Sequence, residues 1–174
     1  MGLKYVSKED KEGEKYLERI ELSIYQNNPE LVEQAKAKFE AAIETDPNDP
    51  SLKVALGGML EKAGDMEGAE RYYLEAYELT PESLEANFSL GAFYINKAAQ
   101  LSSEKNGLTD EKKVEEFDEK ILDMLKKAYP MMVKLHELQP NEREWLSQLV
   151  TITGNLGKDE EMEAYGKKLG ELSK

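Results

Sequence analysis

Acid–base chemistry near neutral pH needs a group that titrates there, and the chain offers a single histidine, His136. It stands between Leu135 and Leu138, off the apolar line of its helix, with no Ser, Cys or Asp spaced to complete a catalytic set. It reads as an exposed, incidental side chain. The absence of cysteine removes disulfides, thiolate nucleophiles and Cys-type zinc sites together. The 36 acidic residues give no spacing that singles out a general acid–base pair, and they read as solvated helix faces. The run TDPNDPSLKVAL starts like an acidic calcium loop but lacks its central Gly and closing Glu, so its prolines read as a linker. Gly57-Gly58 lies in a helical stretch with no Gly-Lys-Ser/Thr, which excludes a phosphate-cradling loop. Tyr72, Tyr73 and Tyr77 could stack on bases, but in so acidic a chain they read as core and edge packing. The expectation is a protein that is not an enzyme, with no catalytic residue, no metal site and no cofactor.

Charge narrows the partners. A formal net charge of -13 repels phosphate backbones and anionic lipid, which excludes nucleic acid and membrane surfaces as natural partners and leaves proteins or peptides. A hydrophobic fraction of 40% beside a charged fraction of 34% suits a folded, helix-rich, soluble chain. No apolar run reaches the ~18–20 residues that span a bilayer. The first residues, Met1 to Lys15, are too polar for a signal peptide, and Val6 stands where a myristoylation signal has Ser or Thr. As it stands the chain reads as cytoplasmic, and as periplasmic if a leader has been removed.

The elements that must position any surface come from an internal repeat. A step of 34 residues links Leu22 to Leu56, Ala35 to Ala69, Phe39 to Tyr73, Ala42 to Ala76 and Pro47 to Pro81. The same step carries Leu56, Gly57 and Leu60 to Leu90, Gly91 and Tyr94. A step of 59 then links Ala69 to Ala128, Leu79 to Leu138, Pro81 to Pro140 and Leu90 to Leu149, which is one repeat with about 25 residues inserted. Each repeat reads as two antiparallel helices. In the second, helix A runs over 51–63 with Ser51 as N-cap, Gly64-Asp65 breaks the chain, and helix B runs over 66–79 and stops before Pro81. Gly57, Ala69 and Ala76 permit close helix approach; Leu56, Leu60, Tyr73 and Leu79 fill the space between. A single such pair cannot bury its apolar side, so neighbours must stack.

These residues resemble the tetratricopeptide repeat. The pattern of Leu-Gly, a large apolar residue, Gly-Asp at the turn, Ala, an aromatic, Ala and a final Pro is met by Leu56-Gly57, Leu60, Gly64-Asp65, Ala69, Tyr73, Ala76 and Pro81. The early Trp position holds Lys53. The first repeat has Ser23 in place of Gly; the last keeps Trp145 and Gly157 but has Met162 and Gly166 where Ala and an aromatic are usual. The resemblance implies one all-α domain over 1–174, a right-handed solenoid with repeats at about 16–49, 50–83, 84–142 with the insertion, and 143–174. The stretch from LGAFYINKAAQL to its close is similar to bacterial members with an elongated helical hairpin near the C-terminus.

The insertion lengthens the third pair. Helix A is expected over 84–101, then a polar loop over 102–108, then a helix capped by Thr109. Val114, Phe117, Ile121, Met124, Ala128, Met131, Leu135 and Leu138 alternate at steps of three and four, as on a coiled-coil seam. Pro130 should kink or split this helix, separating an arm from a standard repeat helix over 131–139. The seam either packs on Leu90, Tyr94, Lys97, Ala98 and Leu101 of the same hairpin or touches a partner or a second copy.

The resemblance further implies a concave groove lined by the A helices. Its lining here would be Val54, Ala55, Gly58, Glu61 and Lys62, then Phe88, Ser89, Ala92, Ile95 and Asn96, then Ser147, Gln148 and Thr151. Members that clamp a chaperone's C-terminal carboxylate use Lys, Asn and Arg at places held here by Ile20, Ile24, Ala55, Glu85 and Gln148, so that ligand is not expected. A shallow, apolar and mildly acidic surface suits an extended or helical segment with apolar anchors. The function expected is therefore a protein-interaction scaffold. Two alternatives stay open: an assembly subunit that self-associates through the long hairpin, and an accessory domain of a larger protein.

Overall fold

Two compact units, divided between Tyr72 and Tyr73, make up the computed structural model, which describes residues 28–172. All regular structure among the described residues is helical.

In the first unit, Asn28 and Asp49 start two helices in the same way. The Asn28 side chain accepts from the Leu31 amide at 3.1 Å, and α1 follows over Pro29–Thr45. The Asp49 carboxylate accepts from the Ser51 amide at 2.8 Å, and α2 follows over Pro50–Ala63. In each case proline occupies the first helical position, where no amide donor is needed. The N-cap of α2 is thus Asp49, and Ser51 lies in its first turn. Gly64 ends α2 in the left-handed conformation, φ 88°, and lets the Asp65 amide donate back to the Leu60 carbonyl at 2.9 Å. Asp65 then accepts from the Gly68 amide at 2.9 Å and starts α3, Met66–Leu79. The half of α3 in this unit places Ala69 and Tyr72 in the core, with the Tyr72 hydroxyl donating to Glu40 of α1 at 3.2 Å.

The second unit holds the rest of α3 together with α4 (Leu84–Lys105), α5 (Glu111–Leu138), α6 (Arg143–Asn155) and α7 (Asp159–Glu171). Helix α4 packs on α5, α5 on α6, and α6 on α7. Leu90, Phe93 and Tyr94 of α4 face Met131, Met132 and Leu135 of α5, and Leu146, Leu149 and Ile152 of α6 complete the core. Tyr73 closes one end, its ring 5.8 Å from that of Phe93. At Gly91 α4 and α5 approach closely: a β-carbon there would come within 2.5 Å of Met132 Cε and 3.1 Å of Met131 Cβ.

The long hairpin departs from the sequence expectation at three points. Helix α4 continues to Lys105, because Ser102, Ser103 and Glu104 need no burial to stay helical; the loop is 106–110. Asp110, not Thr109, caps α5, its carboxylate accepting from the Lys112 and Lys113 amides at 3.1 and 3.3 Å. Pro130 does not divide α5, which runs 28 residues without a break, about 42 Å at ~1.5 Å per residue. The carbonyl that proline leaves without a donor belongs to Lys126, and Lys126 and Pro130 are both exposed, so water can take the missing bond. The first helix of the first repeat, with Leu22, Ser23, Ile20 and Ile24, lies outside the described residues.

Candidate functional site

The residues expected to line a groove fall on three helices. Val54, Ala55, Gly58, Glu61 and Lys62 are on α2 in the first unit; none of them is fully buried. On α4 the helical period separates two sides. Ala86, Asn87, Leu90, Gly91, Phe93, Tyr94 and Ala98 are buried, whereas Phe88, Ser89, Ala92, Ile95 and Asn96 retain access to solvent. Phe88 is the most notable of these, 44% exposed on a helix whose other side is core. Its ring lies 5.7 Å from that of Trp145, tilted by 59°. That contact joins α4 to the start of α6, which carries Ser147, Gln148 and Thr151. Thr151 spends its hydroxyl inside the helix, donating to the Ser147 carbonyl at 3.1 Å; Ser147 is exposed and Gln148 half-buried.

Trp145 and Asn87 were not singled out for this surface from the sequence. Trp145 is almost wholly buried, and its indole donates to the Gln139 side chain at 3.2 Å, which fixes the ring that backs Phe88. Asn87 is fully buried and donates to the Pro81 and Ser83 carbonyls at 2.8 and 2.7 Å, holding the turn before α4. The signal for Asn87 was available: an amide side chain six residues after a turn proline can reach back to it.

His136 corrects another expectation. It is half-buried between α5 and α7, its ring edge-on to Tyr165 at 5.7 Å and its Nε2 3.1 Å from the Lys168 ammonium. An ammonium can only donate, so Nε2 accepts and the ring proton sits on Nδ1, an atom buried without a partner. Burial and the Lys168 charge both push the imidazole below its ordinary pKa, against a smaller opposite pull from Glu137. Next to it, Tyr129 donates to Glu161, which also accepts from Lys158 at 2.6 Å; these two bonds hold the Glu161 carboxyl below the usual carboxylate range. The Lys158 ammonium lies over the Tyr129 ring at 4.5 Å. These polar contacts dock α7 on α5. Among the described residues no group of three or more His, Asp or Glu side chains is placed to hold a metal ion, and no helix is long and apolar enough to cross a membrane.

No protein-family model and no curated protein matches the chain. Among solved structures it is similar to "MamA MSR-1 C2" at 17% identity, TM-score 0.47, over 88% of this chain and 72% of that one. It is similar to TTC0263, a thermophilic TPR protein of Thermus thermophilus, at 21% identity, TM-score 0.44, over 89% and 74%. A third is MamA 41-end of Desulfovibrio magneticus RS-1, at 16% identity and TM-score 0.37, over 88% and 93%.

The repeat itself can be followed in the backbone. Pro47, Pro81 and Pro140 each take the second place of a four-residue turn closed by the same bond: Asp49 to Asp46 at 3.3 Å, Ser83 to Thr80 at 2.9 Å, Glu142 to Gln139 at 3.2 Å. Gly157 repeats Gly64, with φ 67° and the following amide, Lys158, donating five residues back to Thr153 at 2.9 Å. Leu56, Leu90 and Leu149, equivalent by the repeat, are all completely buried, as are Ala69 and Ala128. Helix pairs closed by matching turns, with the repeated residues in matching environments, give the described residues an all-α fold built on a helix-pair repeat, the architecture that the tetratricopeptide resemblance implies.

Proposed function

We propose that this protein is a non-catalytic scaffold that binds a peptide or protein segment through the A-helix faces, with Phe88 and Ile95 of α4 as the principal contacts. The observation that carries the reading is the half-exposed Phe88 ring, held in place by the buried Trp145 behind it. A rigid aromatic with one side fixed and one side open gives an apolar anchor a contact at little entropic cost. Ala92 and Ile95 extend the apolar strip at four and three residues, and Asn96, Ser147 and Gln148 supply polar groups beside it. The Val54, Ala55, Gly58, Glu61 and Lys62 face of α2 is assigned the same role in its own unit. The histidine is taken up in docking α7, which supports a binding role over a catalytic one.

The test is a random-peptide display library panned on the protein, with the enriched peptides measured by titration against Phe88→Ala and Ile95→Glu. Peptides with apolar anchors should emerge, and Phe88→Ala should weaken them about thirty-fold, ~2 kcal/mol for an aromatic contact of this kind. Enriched peptides that bind both variants as tightly as the parent would dismiss this surface.

A further inference from the structure

We infer that the free end of the long α4–α5 hairpin is a separate docking site, built for a basic segment that carries apolar anchors. The 106–110 loop and the first turns of α5 enclose an open cavity of about 580 Å³. Leu108, Val114 and Leu122 form its apolar floor, each half-buried, and Glu111, Glu115 and Glu119 stand exposed around it. Those three glutamates follow one another at steps of four along α5. Each therefore faces a like charge one turn away, an arrangement that costs a helix a few tenths of a kcal/mol per pair unless a cation intervenes. Lys112 is the one lysine of α5 three or four residues from any of them. Asp118, which also lines the cavity, is already engaged by Lys105 of α4 at 2.5 Å. An apolar floor with a rim of one sign is complementary to a segment in which leucine-like side chains alternate with lysine or arginine. The floor supplies the burial, and the rim selects by charge and speeds encounter. A second copy of this chain, at a net charge of -13, is a poor match for the same rim. The site is distinct from the Phe88 surface, and neither depends on the other.

The experiment uses the whole chain and a fluorescent peptide of alternating lysine and leucine pairs, followed by anisotropy, beside an all-lysine peptide of equal length. The triple variant Glu111→Gln, Glu115→Gln, Glu119→Gln should weaken the lysine–leucine peptide about ten-fold, the sum of three exposed ion pairs. A control triple on α1, Glu30→Gln, Glu33→Gln and Glu44→Gln, removes the same charge and should cost less than about two-fold. Leu108→Ser should weaken the lysine–leucine peptide and leave the all-lysine peptide unchanged. The inference is overturned if the control triple costs as much as the tip triple, because attraction is then diffuse. It is equally overturned if the all-lysine peptide binds as well as the lysine–leucine one. Sedimentation equilibrium supplies the last check: a dimer that Leu108→Ser dissolves would mean that a second copy occupies the cavity.

Discussion

The two ends of the long hairpin share one apolar seam yet are built differently. Near the Gly91 crossing, Met131 and Leu135 of α5 are buried, Leu135 completely, and Leu90 and Phe93 of α4 match them. Toward the free end, Val114, Phe117 and Ile121 keep the same spacing but stay half-exposed, and the Lys105–Asp118 ion pair spans the helices. The sequence pattern is continuous across both regions, so pattern alone does not decide burial. What changes is the number of neighbours. Around the crossing α5 also packs on α6 and meets α7 through His136 and Tyr129, and α4 meets Tyr73. At the free end the two helices hold each other, the Lys105–Asp118 pair among their contacts. Two helices can cover each other along one stripe only, and the residues flanking that stripe remain wet. The same lack of neighbours that leaves the tip weak leaves it available.

The largest test of this contrast is Leu135→Ala. Truncating this fully buried leucine should cost about 3 kcal/mol in urea unfolding, with a visible fall in midpoint. Gly91→Leu should follow at about 2 kcal/mol, since the new side chain must displace Met131 as well as the flexible end of Met132. At the tip, Ile121→Ala removes a half-buried side chain of similar size and should cost only about 1 kcal/mol. Equal losses at Leu135 and Ile121 would mean that the tip is as well packed as the crossing, and the comparison would fail.

How much of this was legible depended on whether a residue's role was local or shared. The ends of α2 and α3 followed from Gly64-Asp65 and Pro81 because turn chemistry is local, and Leu56, Leu90 and Leu149 followed from the repeat because equivalent sites meet equivalent neighbours. The end of α4 was misplaced because polar residues such as Ser102 and Ser103 are compatible with helix and loop alike. Pro130 was misjudged because its cost depends on what the Lys126 carbonyl faces, which the linear pattern does not contain. His136 was misread for the same reason: Tyr165 and Lys168, its neighbours, come from another helix. The candidate surface was legible as a set of helical positions such as Phe88, Ala92 and Ile95, while the Trp145 backing was not, since it needs the packing of α6.

The α5–α7 contact gives the crossing end a sensitivity to pH. His136 has a folded pKa below its unfolded value of 6.5. Above the unfolded value both states are neutral and stability is complete. As pH falls through 6.5 toward the folded pKa, the unfolded chain takes the proton more readily and stability is lost. The groups facing the ring are Lys168 and Tyr165 from α7 and Glu137 from α5, and the direction of the effect is set first by burial and then by the Lys168 charge. Urea midpoints between about pH 7.5 and 5.5 should fall for the parent and flatten for His136→Gln, by less than the Ile121 loss. An unchanged slope in the variant would assign the pH dependence elsewhere.

The smallest effect belongs to the tip's own ion pair, and it separates stability from binding there. Lys105 and Asp118 are both partly exposed, so replacing Lys105 with Met should cost about 0.5 kcal/mol at low salt and almost nothing at high salt. The same change leaves the Asp118 carboxylate without its partner at the edge of the acidic cavity, and adds one unit of negative charge where a basic segment would dock. A hairpin whose tip matters only for folding would show the first effect alone. A tip that receives a cationic segment should bind the lysine–leucine peptide more tightly, by a few-fold, as it becomes slightly less stable. Opposite movements of stability and affinity under one substitution are what distinguish an end left open for a partner from an end that is merely short of neighbours.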